Sequence, residues 1–207
     1  MRFRTCSYRH GLALIEHEAE FSDLWEEIEE VLSGISDDDI IDEFQAGGPR
    51  KSISMCINRL ISRGLVSCGW SSESPIFADP VYNVKGESRW RLDFAKRNVS
   101  IEVAFNHGEA AAWNLLKPVL ASELNHVRKA ITTEIGVVIT ATEELKAAGG
   151  FDGAVGTFEK YVQYLRPLRD VLTVPLVVIG LEAPDSFRIV HLDGGHKKIG
   201  HVERTQP

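Results

Sequence analysis

The stretch RLDFAKRNVSIEVAFNHGE, residues 91–109, lies at the centre of the fold that this sequence predicts. Within it, the run VSIEVAFN alternates apolar residues with polar or small ones, which is the pattern of a β-strand with one buried face. We predict that residues 92–95 form a second strand, paired antiparallel with the first through a tight turn at Arg97-Asn98. Asparagine tolerates the left-handed backbone that such a turn requires. The stretch therefore predicts a β-hairpin.

Two acids meet across this hairpin. Counting back from the turn places Asp93 opposite Glu102, and directly opposed residues have Cβ atoms about 4.5–5.5 Å apart. Two bare carboxylates there repel each other, and a divalent cation would turn this repulsion into coordination. Mg²⁺ takes one or two carboxylates together with waters, and it can activate a water while neutralising phosphate charge. The plainer alternative is that Glu102 points to solvent and Asp93 caps a turn, because this spacing alone is a weak signal.

Upstream of the hairpin, the sequence predicts helices. Apolar residues spaced three and four apart indicate one helix with an N-cap at Ser22 and a stop at Gly34. A second helix fits residues 52–63, with Gly64 as its C-cap. The segment between them, residues 36–51, reads as a loop or a weak helix that ends in a Gly-Gly-Pro breaker.

Downstream of the hairpin, strands and helices alternate. The predicted elements are a helix over residues 109–132 with a kink near Pro118, a strand over 135–140, a helix over 157–170 and a buried strand over 173–181. The tail that follows is expected to add an edge strand. This order favours an α/β fold with a mixed β-sheet flanked by helices.

The composition is that of an ordinary soluble globular protein, with 207 residues and 43% apolar side chains. This length fits a single domain over residues 1–207. No apolar run reaches the roughly 20 residues that a membrane helix needs, and the N-terminus lacks the apolar core of a secretory signal. The three cysteines form neither a CxxC pair nor an even disulfide set, so we expect a cytoplasmic location.

Charge is distributed unevenly along the chain. The net charge is −7, yet residues 16–43 hold thirteen acids and no lysine or arginine, which leaves +6 on the rest. Such segregation favours a basic face toward phosphates, although charge alone leaves a random surface mosaic open. Four acids of the first helix read as a solvated face, with metal binding by one of them as the alternative: Glu26, Glu27, Glu29 and Glu30.

Several separate segments together carry a resemblance to a known protein family. They are YRHGLALIE with the helix LWEEIEEVL, INRLISRGLVSCGW with Asn58 and Trp70 at the family's spacing, ADP at residues 78–80, LDFAKRNVSIEVAF, and VPLVVIGL. In this order they resemble the type II restriction endonucleases of the BglII and BstYI group, within the PD-(D/E)xK nuclease superfamily. The resemblance covers about residues 8–181, leaves 182–207 as a tail, and implies a restriction-endonuclease-like core.

The resemblance implies a homodimer that binds double-stranded DNA and cuts both strands at a short palindrome with Mg²⁺. Asp93 and Glu102 match the family's two metal-binding acids, and the main-chain carbonyl of Val103 would be a further ligand. Water activated by the metal would attack the phosphorus in line and leave a 5′-phosphate and a 3′-hydroxyl. A palindrome also follows from symmetry, because a two-fold dimer presents the same surface to each half-site.

One position departs from the family's pattern at the catalytic site. The superfamily usually has lysine two residues after the second acid and BglII-like members have glutamine, whereas this chain has Ala104, whose methyl group cannot orient a water. Three explanations stay open. Lys96, Asn106 or His107 serves instead; the protein is a weak or inactive nuclease; or the substitution is a deliberate inactivating one. The alternative function is a sequence-specific DNA-binding protein on the same fold.

The resemblance places the residues that read DNA just beyond the second strand. Asn106 and His107 stand where related enzymes place groups in the major groove, and asparagine can bond adenine while histidine can donate to guanine. The alternative is a loop that only turns the chain into the next helix. The loop around Asp152 and Gly153 matches a second reading loop loosely, and Asp152 could accept from a cytosine amino group. The side chains predicted to contact phosphates are Lys51, Arg59, Lys96 and Arg97.

Overall fold

The strands of the protein form a mixed sheet and a separate hairpin. The computed structural model describes residues 1–84, 89–122, 127–194 and 197–205, without the side chains of 193, 194 and 197. The strands are β1 (Phe3–Tyr8), β2 (Ser71–Pro75), β3 (Arg91–Lys96), β4 (Val99–Val103), β5 (Ile135–Ala141), β6 (Leu176–Leu181), β7 (Phe187–Gly194) and β8 (Lys197–Arg204). The six-stranded sheet has the order β1-β6-β5-β4-β3-β2, and β7 pairs with β8. Strands β4, β5 and β6 run parallel, and the outer pairings are antiparallel.

Helices cover both faces of the six-stranded sheet. They are α1 (Gly11–His17), α2 (Ser22–Gly34), α3 (Asp37–Ala46), α4 (Ser54–Ser67), α5 (Ala111–Ser122), α6 (Glu143–Ala148) and α7 (Phe158–Leu165). Helices α1 to α4 and α6 pack with Ile101 and Ile139 on one face, whereas α5 and α7 pack with Val138 and Val178 on the other. This confirms the predicted α/β fold with a mixed sheet flanked by helices. None of the helices in the described ranges has the length and apolar character needed to cross a membrane.

The β3–β4 hairpin forms with the predicted register. Lys96 pairs with Val99 next to the turn. The left-handed residue of the turn is Arg97, with a φ of 48°, rather than Asn98 as the sequence suggested. The guanidinium of Arg97 binds the carboxylate of Asp23 on α2. An ion pair therefore stabilises an arginine in a conformation that glycine and asparagine adopt more readily.

Residues 36–51, read from the sequence as a loop or a weak helix, contain the ten-residue helix α3. A capping box begins it: the Asp39 N–H donates to Oγ of Ser36 at 3.1 Å, and the Ser36 N–H donates to Oδ2 of Asp39 at 2.9 Å. Ile40 and Phe44 are buried on its inner side. The cap and this apolar stripe hold the helix together despite its dense run of acids.

Helix α4 continues through Gly64, the residue predicted as its C-cap, and ends at Ser67. Close packing explains the glycine. A Cβ at residue 64 would lie 2.6 Å from Cγ1 of Val31 on α2, well inside van der Waals contact. The glycine therefore allows α2 and α4 to pack closely. In the sequence alone, the same glycine looks like the end of a helix. Similarly, Phe21 rather than Ser22 is the N-cap of α2.

Helix α5 is shorter than the predicted helix over residues 109–132. It follows a 3₁₀ turn at Gly108–Ala110, and residues 127–134 are not helical, while 123–126 lie outside the described residues. Pro118 lies inside α5, opposite Gly136 of β5, where a Cβ would come within 2.7 Å of the proline ring. The glycine lets α5 lie close to the sheet. This close packing sets how far the side chains of α5 extend toward the residues of the sheet.

The C-terminal tail does not add the edge strand expected from the sequence. Its strands β7 and β8 pair only with each other among the described strands, because Phe187 and Ile189 of β7 are buried in the core on the α1–α4 side. The edge of the main sheet is filled instead by β1, which pairs antiparallel with β6. Helix α7 also ends at Leu165, before the predicted end at residue 170.

Candidate active site

Asp93 and Glu102 lie side by side where the ladder between β3 and β4 ends. The last backbone pair joins Phe94 to Ile101. Beyond this pair, carboxylate oxygens replace backbone carbonyls as the acceptors. The Val103 N–H donates to Oδ2 of Asp93 at 2.7 Å, and the Asp93 N–H donates to Oε1 of Glu102 at 3.4 Å. The two carboxylates are thus held by the backbone of the opposite strand, as the register predicted from sequence requires.

A lysine that the sequence reading missed completes this cluster. Lys117 of α5 donates from Nζ to Oε2 of Glu102 at 2.6 Å. Both side chains are buried, with 8% of Lys117 and 2% of Glu102 exposed. A signal was present in the sequence, because Lys117 is the single charged residue in the run from 110 to 122. A lysine in an apolar helix is almost never fully buried without a partner.

The electrostatics of the cluster favour an added cation. Burial, and then the neighbouring charge of Asp93, raise the pKa of Glu102 to about 8, while Lys117 opposes the rise. Burial also raises the pKa of Asp93, again opposed by Lys117. When both carboxylates are ionised, they and the single ammonium leave one excess negative charge in a poorly solvated place. Oxygen donors of this kind suit Mg²⁺, which needs only one or two carboxylates.

The cluster fits a metal that completes its coordination from the backbone, water or substrate. Among the residues that the structure describes, no group of three or more histidine, cysteine, aspartate or glutamate side chains could hold a metal. No contact between an acid of α2 and the pair is found among the described residues: Glu27 binds Nζ of Lys96 at 2.6 Å and Nε1 of Trp70 at 2.8 Å, and Asp23 binds Arg97. The metal would therefore rest on Asp93 and Glu102.

We predict that the metal-free protein loses stability as the pH rises from about 5 to about 8. Because the folded-state pKa of Glu102 is raised to about 8, its contribution to the free energy of unfolding is fully present below the unfolded pKa and is lost as the pH passes through 8. Melting curves in a chelator across this range measure the loss. The variant Glu102→Gln should show a flatter profile, and an equal slope in both proteins would contradict the assignment.

Ala104 is buried under helix α5. It is 1% exposed and packs in one cluster with Ala111 and Leu115 of that helix. Its backbone is fixed on both sides, since its N–H donates to the Ile139 carbonyl at 2.8 Å and its carbonyl accepts from Oγ1 of Thr140 at 3.0 Å. The methyl group thus lies in the apolar cluster on the sheet face that α5 and α7 cover.

The two loops predicted to read DNA lie together. The Gly156 N–H donates to the carbonyl of Asn106 at 3.0 Å, and the Gly108 N–H donates to the carbonyl of Ala154 at 2.7 Å. His107 forms an isolated bridge with Val155 between these contacts. The backbone therefore joins the loop after β4 to the loop that contains Asp152 and Gly153 as one surface.

The side chains on this surface are exposed, and their partners are defined. Oδ1 of Asn106 accepts from Nδ2 of Asn114 on α5 at 3.2 Å, and Nδ2 of Asn114 also donates to the hydroxyl of Tyr161 at 2.6 Å. Lys51 donates to Oδ2 of Asp152 at 2.9 Å. Asn106, His107, Asp152 and Gly153 are all exposed. The structure thus brings these four predicted residues and Lys51 to one region.

The other predicted phosphate contacts lie against the acidic helices. Arg59 binds Glu43 of α3 at 3.1 Å, and Lys96 binds Glu27 of α2. The Cys68 carbonyl also accepts from Nζ of Lys96 at 2.7 Å, so the structure does not bring this lysine to the Asp93–Glu102 pair. With Arg97 already bound to α2, the basic segments neutralise the acidic ones. Their role as DNA contacts stays a prediction.

Comparisons with known proteins identify the fold and the family. A crystal structure of restriction endonuclease BglII complexed with a DNA 16-mer superposes with a TM-score of 0.67 and 20% identity, covering 99% of this chain and 91% of that chain. A crystal structure of free BglII gives a TM-score of 0.55 and 19% identity, with 99% and 100% coverage. A search of curated protein sequences gives no match. The family model for restriction endonuclease BglII/BglIII matches residues 3–181, and the chain therefore belongs to this family of type II site-specific deoxyribonucleases.

Proposed function

We propose that the protein is a Mg²⁺-dependent homodimer that cuts both strands of duplex DNA at a short palindromic site. The observation that carries this proposal is the pair formed by half-buried Asp93 and buried Glu102, held by the backbone and neutralised only in part by Lys117. The fold supports DNA as the substrate, since one similar structure is that of BglII complexed with a DNA 16-mer. Two-fold symmetry favours a palindrome, because each protomer reads one half-site.

Asp93 and Glu102, with the main-chain carbonyl of Val103, would hold the metal. When bound, Mg²⁺ would supply an activated water and neutralise charge on the scissile phosphate. The protein's own contribution is to fix the acids in advance. The Val103 N–H orients the carboxylate of Asp93, and burial keeps Glu102 away from bulk water. Such preorganisation lowers the cost of reaching the transition state.

Recognition of the bases would come from the surface that joins the two loops. Asn106 offers an amide that can pair with adenine, and His107 can donate to a guanine acceptor. Asp152 can accept from a cytosine amino group, although its present partner is Lys51. Lys51 would contact phosphates, as would Arg59, Lys96 and Arg97 if they exchange their carboxylate partners for phosphates.

A second candidate is a DNA-binding protein that does not cut. Ala104 favours it, because the buried methyl group offers no polar atom at the position that the family fills with lysine or glutamine.

Incubation with plasmid DNA separates the two candidates. We expect discrete fragments with Mg²⁺ and intact plasmid when a chelator replaces it. Ligation and end mapping of the fragments would then give the site and confirm the 5′-phosphate. Intact plasmid in Mg²⁺, together with a gel shift that selects one palindrome, would instead support the binding protein.

A further inference from the structure

Lys117 has unused hydrogen-bonding capacity at the site. An ammonium group has three donors. One of them binds Oε2 of Glu102 at 2.6 Å, and the other two meet no acceptor among the residues that the structure describes. The residue is 8% exposed, so bulk water has little access to these donors. With a metal ion held by the two carboxylates, a buried ammonium that has donors to spare can bind an anion.

The packing of α5 explains why the lysine comes from a helix. Ala111 and Leu115 of α5 lie in one cluster with the methyl group of Ala104. A long side chain at residue 104 would have to enter this closely packed cluster. The small residue directly after β4 instead leaves room for α5, and Lys117, half a turn beyond Leu115, reaches Glu102. The small side chain of Ala104 and the position of Lys117 at Glu102 are thus linked through the packing of α5 on the sheet.

We propose that Lys117 is a catalytic residue whose ammonium contacts the scissile phosphate. This inference rests on the proposed nuclease function and names a further residue of that same site. With DNA bound, Nζ of Lys117 donates to a non-bridging oxygen of the phosphate that faces Asp93 and Glu102. A positive charge at that oxygen stabilises the charge that develops in the transition state. Lys117 thereby supplies a cation that Ala104 cannot.

The reaction that this contact assists is hydrolysis of a phosphodiester. The oxygen of a water molecule forms a bond to phosphorus, and the bond from phosphorus to the 3′ oxygen breaks. The electron pair of that bond goes to the 3′ oxygen, which takes a proton from solvent, while the attacking water releases a proton to solvent. The products are a 5′-phosphate and a 3′-hydroxyl. Lys117 exchanges no proton in this scheme and acts only through its charge and hydrogen bonds.

A purely structural role for Lys117 makes different predictions. If the lysine only neutralises Glu102, its removal should weaken folding, and saturating metal should restore both folding and cutting. If it contacts the phosphate, cutting stays slow when metal is saturating. Removing a cation also leaves the carboxylates more attractive to a divalent ion. Metal affinity and cutting rate should then move in opposite directions.

The test compares Lys117→Met with the wild-type protein and with Lys146→Met. Lys146 is a suitable control because it is also shielded, with 19% of its side chain exposed, and is paired with Glu143 on α6. Single-turnover cutting of a plasmid in saturating Mg²⁺ gives the rate. A gel shift with a duplex carrying the cut site gives DNA binding in a chelator, and calorimetric titration of the free protein gives Mn²⁺ affinity. Lys117→Gln, which keeps a hydrogen bond to Glu102, is the second variant if Lys117→Met does not fold.

We expect either Lys117 variant to cut at least about a hundred-fold more slowly, the usual cost of removing one donor to a developing charge. Its Mn²⁺ affinity should equal or exceed that of the wild type, and its duplex binding should change by less than its cutting rate. Cutting at the wild-type rate would overturn the inference and leave the proposed nuclease intact. Parallel loss of Mn²⁺ binding and cutting would assign Lys117 a structural role. A wild-type protein that does not cut would overturn both proposals.

Discussion

Replacing Glu102 with glutamine is expected to slow DNA cutting by about a thousand-fold, which corresponds to about 4 kcal/mol of transition-state stabilisation. The amide is nearly the same size as the carboxylate but carries no charge for a metal. It would also leave Lys117 without its anionic partner at 2.6 Å. Asp93→Asn should act in the same direction, because it removes the other charge of the pair. Single-turnover cutting in Mg²⁺ measures both effects.

DNA binding by the two variants should be retained or strengthened. Each substitution removes a negative charge from a place that would face a phosphate, and repulsion there weakens binding. Glu109→Gln is the matched control, since Glu109 is an exposed acid seven residues after Glu102. A Glu102→Gln protein that binds Mn²⁺ and cuts as well as the wild type would show that the proposed metal site is wrong.

Introducing lysine at residue 104 is expected to destabilise the protein and to give no gain in cutting. Ala104 is 1% exposed and belongs to one apolar cluster with Ala111 and Leu115, so a longer side chain overpacks this region at a cost of about 1–3 kcal/mol. A second ammonium near Lys117 adds like-charge repulsion. Melting temperature and plasmid cutting in Mg²⁺ measure the two effects. Ala104→Gln should behave similarly, without the added repulsion.

Two comparisons sharpen the test at residue 104. Ala46→Lys, at the exposed end of α3, controls for an added positive charge. The double variant Ala104→Lys with Lys117→Met removes the repulsion and offers a replacement cation, so it should cut faster than Lys117→Met alone. A stable Ala104→Lys protein that cuts at least ten times faster than the wild type would instead identify Ala104 as an impairing substitution.

The hairpin is the part of the fold most accessible from sequence. Alternation along β4 and the short turn define its register, and this register by itself places Asp93 beside Glu102, as the folded protein confirms. Features that depend on packing between elements are harder to predict. Gly64 reads locally as a helix end, but it lies within α4 because Val31 of another helix needs the space. Likewise, β1 fills the sheet edge through pairing with a strand near the other end of the chain.

In the candidate active site, too, the feature that depends on packing between elements could not be predicted from the sequence. Lys117 stands fifteen positions from Glu102, on a different element, and nothing in the spacing joins them. Only the depth of α5 against the sheet brings the ammonium to the carboxylate. The single charge within an apolar helix is a usable signal, since such a lysine needs a partner. It does not say which acid the partner is.

The charge distribution along the sequence predicts the DNA-binding surface only in part. The segregation of acids and bases along the chain suggests a basic face for DNA, yet Arg59 binds Glu43 and Lys96 binds Glu27 in the folded protein. Sequence shows how charges are distributed along the chain and cannot show which opposite charges meet. Much of the apparent basic surface is therefore used in holding helices α2 and α3 against the rest of the protein.

The hydrogen bond between Asn114 and Asn106 limits how this enzyme can be re-engineered. Asn114 and Lys117 occupy the same turn of α5, so one turn sets both the exposed amide of Asn106 and the ammonium at Glu102. If Asn106 reads a base as proposed, a substitution there changes base preference and also removes a hydrogen-bond partner of that turn. Libraries aimed at a new recognition sequence should therefore be screened for turnover as well as for affinity. One turn of α5 contacts both Asn106 and Glu102, so a change at one residue is expected to affect the other.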